Sequence, residues 1–105
     1  MANSIDIKTL KNILTSDESL TILDVRRKSD YEETPKKIAG ATWCDPAKID
    51  EWVKHISSGQ PIVVYCVKGG SVSQSVVDRL QKEGREARFL EGGLKAWTES
   101  DQPVE

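Results

Sequence analysis

The run Pro61-Ile62-Val63-Val64-Tyr65-Cys66-Val67-Lys68-Gly69-Gly70-Ser71 carries a short apolar, β-branched stretch straight into a cysteine and a glycine pair. Such a run, opened by proline and closed by a glycine turn, reads as a buried strand. An amphipathic helical pattern follows from Val72 to Glu83, with Val72, Val76, Val77 and Leu80 facing inward and Gly84 as a stop. Cys66 therefore leaves a strand end, enters a turn and faces a helix N-terminus. Turn N–H groups form anion-binding nests, and a helix start adds unsatisfied N–H groups and the positive end of its dipole. Surroundings of this kind favour a thiolate, which is the nucleophilic form of cysteine.

The same alternation extends along the chain. Asp6 can cap a short helix carrying Leu10, Ile13 and Leu14 on one face. Leu20-Thr21-Ile22-Leu23 reads as a strand ending at Asp24-Val25-Arg26. The polar stretch from Arg27 to Lys37 holds at most a short helix, anchored by Tyr31 and broken at Pro35. Ala41 to Cys44 is a short strand. Asp45 then caps a helix with Pro46 in its first position and Ile49, Trp52, Val53 and Ile56 at helical spacing. Ala87 to Leu90 forms a last strand, and Gly92-Gly93 opens a final helix with Leu94 and Trp97. Strands separated by helices predict an α/β domain with a mainly parallel sheet, whose ligands bind where strands end. Asp24 and Cys66 both stand at such ends.

Composition narrows the function. The 105 residues fit one domain spanning 1–105, with 37% hydrophobic and 30% charged residues. A net charge of −2 offers no footprint for nucleic acid, and no apolar run is long enough to span a membrane. The first residues lack the charged and apolar regions of a secretory signal, so a cytoplasmic location is expected if this is the natural start. The 2 cysteines lie outside any Cys-x-x-Cys and meet a single histidine, so neither a metal nor another cofactor is expected. His55 reads as a surface residue, and Trp43, Trp52 and Trp97 as core or rim aromatics. Cys44 has no glycine loop and reads as structural, with the alternative that it resolves a modified Cys66 into a disulfide.

Three segments together resemble a single-domain rhodanese, a member of the rhodanese-like sulfurtransferase family, over nearly the whole chain. They are Ile22-Leu23-Asp24-Val25-Arg26, with Tyr31 and Ile38-Ala39-Gly40-Ala41 behind it; Val63-Val64-Tyr65-Cys66 with its loop to Ser71; and Leu90-Glu91-Gly92-Gly93-Leu94-Lys95-Ala96-Trp97. The resemblance implies a rhodanese-like three-layer α/β/α fold with a mainly parallel sheet of about five short strands. It implies that Cys66 takes a sulfane sulfur from thiosulfate, a polysulfide or a persulfide and passes it to cyanide or a thiol. A protein acceptor is also compatible with it; nucleic acid and membrane partners are not expected. The active-site loop is then Cys66, Val67, Lys68, Gly69, Gly70 and Ser71. Lys68 matches a basic position facing an anionic donor, and Ser71 a position whose hydroxyl reaches the sulfur. Val67 stands where many thiosulfate-using members carry arginine. Asp24 and Arg26 read as a supporting ion pair. Lys36-Lys37 replaces a common Gly-His pair, so no histidine base is assigned, and an ionised thiol needs none.

Two other readings compete. Cysteine phosphatases and arsenate reductases of the related fold close their loop with an arginine six positions after the cysteine, to grip a tetrahedral oxyanion. That position is Val72 here, and no arginine occurs between Cys66 and Asp78. The alternative in a different class is a non-catalytic rhodanese-like sulfur-carrier or sensor module that binds a partner protein.

Overall fold

The computed structural model describes residues 3–16, 19–56, 59–68, 70–100, 102 and 104. Among these, the strands are β1 (Ser4–Ile5), β2 (Thr21–Asp24), β3 (Thr42–Trp43), β4 (Ile62–Tyr65) and β5 (Ala87–Leu90). They form one sheet in the order β1-β5-β4-β2-β3, with every pairing parallel. The helices are α1 (Ile7–Leu14), α2 (Lys28–Glu33), α3 (Ile49–Trp52), α4 (Ser71–Lys82) and α5 (Gly93–Glu99). No described helix is long and apolar enough to cross a membrane.

Alternation along the central strands divides the core in two. Leu23, Val25, Ile62, Val64 and Cys66 meet Val53, Val76, Val77 and Leu80 on one face. Ile22, Val63 and Tyr65 meet Leu10, Leu94 and Trp97 on the other. The result is the expected three layers, with β4 apolar throughout because both of its faces are covered. Burying these side chains is the main force holding the helices to the sheet.

Some local readings change. Asp6 does cap α1, accepting from Thr9 N at 2.7 Å. Leu10 is fully buried, but Leu14, at the helix end, is 39% exposed rather than inward. The helix expected after Asp45 is broken into 3-10 turns around the four residues of α3. The Asp45 carbonyl accepts from Lys48 N at 3.0 Å and from the Trp52 indole at 2.8 Å. The first bond has the tighter 3-10 spacing. Ser4–Ile5 pairs with β5 as an edge strand, through Phe89 N to Asn3 O and Glu91 N to Ile5 O, both 2.9 Å. Two residues are too few to leave a periodic signal.

Candidate active site

Cys66 follows the last residue of β4, with its side chain 6% exposed on the α3/α4 face. It is the first residue of the turn that leads to α4. Gly70 holds the N-cap position of that helix, and no side chain caps it. The first-turn N–H groups therefore have no side-chain cap, and the positive end of the α4 dipole lies on the same side as the turn. Downstream, α5 holds the turn from behind: Leu94 N donates to the Cys66 carbonyl and Lys95 N to the Val67 carbonyl, each at 2.9 Å. Gly92 makes this approach possible with φ +77°, and a Cβ there would lie 2.5 Å from the Ala96 Cβ.

The hydroxyl that meets the Cys66 Sγ belongs to Ser73, at 3.3 Å, and Ser73 is fully buried. Ser71, expected in that role, is the exposed first residue of α4. A helical side chain leans toward the helix N-terminus, which carries Ser73 back over the sulfur. Ser73 Oγ also donates to the Gly70 carbonyl at 3.3 Å while the thiol donates to Ser73. On ionisation the hydroxyl has only to rotate to donate to the sulfur. The signal was present in the sequence: Ser73, Val76, Val77 and Leu80 are spaced i, i+3, i+4 and i+7, so Ser73 occupies a core-facing position.

Cys66 opens into a cavity of about 240 Å³ lined by Val67, Lys68, Gly70 and Ser71 from its own loop. Gly69 lies outside the described residues. Arg26, expected as a supporting residue, also lines it; the β2–α2 connection further contributes Arg27 and the start of α2 contributes Asp30. Sequence reading missed Arg27 and Asp30, because their nearness to Cys66 arises only when β2 pairs with β4. Arg27 supplies a second cation beside Lys68, so Val67 does not leave Lys68 alone before an anion. Gly70 has φ −87° and nothing within 4 Å of a Cβ position, so it is not there for conformational freedom.

Asp24 and Arg26 build the frame beneath this cavity. Arg26 Nε donates to both Asp24 carboxylate oxygens at 3.0 and 2.9 Å, and Nη2 donates to Oδ2 at 2.7 Å. The remaining guanidinium bonds fix the α2–Ile38 segment, to the Thr34 carbonyl at 2.7 Å and the Lys36 carbonyl at 3.0 Å. The Tyr65 hydroxyl donates to Asp24 at 3.0 Å and accepts from Ile38 N at 3.1 Å. Burial, together with the Asp24 charge, pushes the Tyr65 hydroxyl well above its ordinary ionisation range. Tyr31 stacks on Trp43 at 4.6 Å, with the Arg26 guanidinium 5.3 Å from the Tyr31 ring centre. The carboxylate is fully buried and bonded to its partners, which is the arrangement of a positioning group.

Cys44 lies in the same row. The bonds from Val25 N to Tyr65 O and from Cys44 N to Asp24 O, both 2.8 Å, place Val25 between the two cysteines. Two strand spacings separate them by roughly 9–10 Å at Cα, beyond the reach of a disulfide without backbone movement. Burial and the Asp24 charge push the Cys44 thiol above its ordinary range.

Comparison with known proteins agrees with this geometry. The family model for the rhodanese-like domain matches residues 6–100. Thiosulfate sulfurtransferase GlpE of Coxiella burnetii is 36% identical over 85 residues, covering 80% of this chain and 77% of that protein. A rhodanese-related protein from Thermoplasma volcanium superposes with a TM-score of 0.85 at 25% identity, covering 98% of this chain and 97% of its own. A rhodanese-like domain protein from Staphylococcus aureus gives a TM-score of 0.80 at 28% identity, covering 92% and 91%. A cysteine at the end of β4, a turn gripped by α5 and a match over residues 6–100 lead to one statement: this chain belongs to the rhodanese-like domain family.

Proposed function

We propose that this protein is a sulfurtransferase that moves a sulfane sulfur from a donor such as thiosulfate, a polysulfide or a persulfide to cyanide or a thiol, through a persulfide on Cys66. Kinship with the rhodanese-like domain and with a thiosulfate sulfurtransferase supports sulfurtransferase activity in general. The observation that carries the finer reading is the position of Cys66. It lies at a strand end against the Ser73 hydroxyl, opening into a cavity that also holds Arg27 and Lys68.

The chemistry follows from these groups. The Cys66 thiolate attacks the outer sulfur of the donor, an S–S bond forms, and sulfite or a thiolate leaves with the electron pair of the broken bond. Arg27 and Lys68 favour an anionic donor and its anionic leaving group, while Asp30 disfavours a second anion on its side. Ser73 and the α4 N-terminus stabilise charge on sulfur as it moves inward in the first step and outward in the second. The acceptor then attacks the terminal sulfur, and Cys66 is released as thiolate.

Intact-protein mass after incubation with thiosulfate, and separately with a polysulfide, tests the proposal. A gain of one sulfur atom that survives Cys44→Ser and disappears in Cys66→Ser is expected. A gain that persists in Cys66→Ser refutes the assignment, as does the absence of any gain with every donor.

A further inference from the structure

The Cys66 cavity continues past its loop. Arg27, Ser71 and Val72 line it and also line a neighbouring groove of about 800 Å³. That volume is in the range of small-molecule sites, which pair apolar walls with a few polar groups. The walls here are Pro46, Ala47, Ile49, Val72 and Val76, from the turn after β3, α3 and the first two turns of α4. Three cations, Arg27, Lys28 and Arg79, line the groove against one carboxylate, Asp45. Asp45 is occupied in accepting from Ala47 N at 3.0 Å. Arg79 is paired with Asp50 and Glu83, and Lys28 stands 3.8 Å from Glu32. Arg27, at the junction with the Cys66 cavity, has no ion-pair partner among the described residues. An apolar trough with an unpaired guanidinium at its reactive end suits an organic anion.

Resting on the sulfurtransferase reading above, the geometry points to this groove as the seat of the sulfur acceptor, an organic thiol bearing an apolar body and a carboxylate near its sulfur. The body covers Pro46, Ala47, Ile49 and Val76, the carboxylate meets Arg27, and the thiolate passes the shared wall to reach Cys66. In the transfer, the acceptor thiolate attacks the outer sulfur of the Cys66 persulfide. A new S–S bond forms on the acceptor and the bond to Cys66 Sγ breaks. The outer sulfur takes one proton from water once the donor's leaving group has departed; Cys66 then leaves as thiolate, and that proton stays with the organic persulfide. One S–S bond replaces another, so no external oxidant or reductant is needed. Cyanide is too small to span the groove and discharges Cys66 without it.

The test uses full-length protein preloaded with sulfur, and 2-benzyl-3-mercaptopropanoate as acceptor. Its amide, 2-benzyl-3-mercaptopropanamide, is the uncharged comparator and cyanide the groove-independent one. The acid is expected to show kcat/KM about tenfold above the amide. Ala47→Glu is expected to lower the acid's value by about tenfold, because a charged side chain then stands where the apolar body packs, while cyanide discharge changes less than about twofold. In parallel, the thiol-free analogue 2-benzylpropanoate is expected to shift the backbone amide resonances of Ala47, Ile49, Val72 and Val76. Equal use of acid and amide, or an Ala47→Glu effect shared by cyanide, overturns the groove assignment. So do resonance shifts that fall elsewhere or are absent. If Cys66 takes up no sulfur at all, the sulfurtransferase reading fails, while the resonance shifts still report whether the groove binds an organic carboxylate.

Discussion

Replacing Ser73 by alanine isolates the contact between the helix and the Cys66 sulfur. The hydroxyl is fully buried, stands 3.3 Å from Cys66 Sγ, and has the Gly70 carbonyl as its other partner, also at 3.3 Å. Its loss removes one oxygen atom from the core, leaves the Cys66 thiol, a weak donor, without its acceptor, and leaves the Gly70 carbonyl its bond from Gln74 N at 3.2 Å. Stability should therefore fall by less than about 1 kcal/mol. The effect on chemistry should be larger, because a hydrogen bond to a charged group contributes about 1.5–3 kcal/mol. That range corresponds to a rate loss of roughly ten- to hundredfold. The assay is single-turnover persulfide formation from saturating thiosulfate, followed by intact mass, with denaturant unfolding run on the same variant. Ser71→Ala should give a smaller loss, since its hydroxyl sits at the exposed start of α4. A Ser73→Ala rate within twofold of the parent, with unfolding unchanged, would refute the view that this hydroxyl serves the sulfur.

Other outcomes follow from the frame around the site. Asp24→Ala leaves the buried Arg26 guanidinium without its carboxylate and should cost about 3–5 kcal/mol in urea unfolding; a loss below 1 kcal/mol would show the pair to be dispensable. Gly92→Ala forces a side chain into a left-handed conformation and against Ala96, so stability should fall by about 1–3 kcal/mol, and sulfur uptake should fall with it because α5 grips the loop. In Cys66→Ser protein, iodoacetamide should modify Cys44 slowly at neutral pH and faster as pH rises, since burial and the Asp24 charge hold its thiol protonated. Rapid labelling of Cys44 near pH 7 would contradict that.

Much of this architecture was legible in the chain because its signals are local. The run Ile62–Tyr65 is apolar on both faces, as a strand covered by two helical layers must be, and Gly84 closes α4 with φ +81°. The place of Cys66 directly after β4 and before α4 was legible for the same reason: strand, turn and helix are contiguous around it. What escaped depends on distance or on helix phase. Arg27 and Asp30 reach the cavity only through the pairing of β2 with β4, which no local pattern encodes. Ser73 was hidden by its polarity: Val72 does pack half-buried against the core with Val76 and Leu80, and the serine beside it shares that inward face without an apolar side chain to mark it. Asp24 and Arg26 were readable as a pair, but their bonds to Tyr65, Thr34 and Lys36 are tertiary.

The grip of α5 on the turn after β4 ties the site to a segment nearly thirty residues downstream. Leu94 N and Lys95 N can exchange with solvent only when their bonds to the carbonyls of Cys66 and Val67 open. Their hydrogen-exchange rates are therefore a label-free gauge of how often the turn comes undone. In a chain growing from its N-terminus, β2 and β4 are complete well before α5 exists. The turn after β4 acquires its support late in synthesis, and a chain ending before Gly92 would display Cys66 without it.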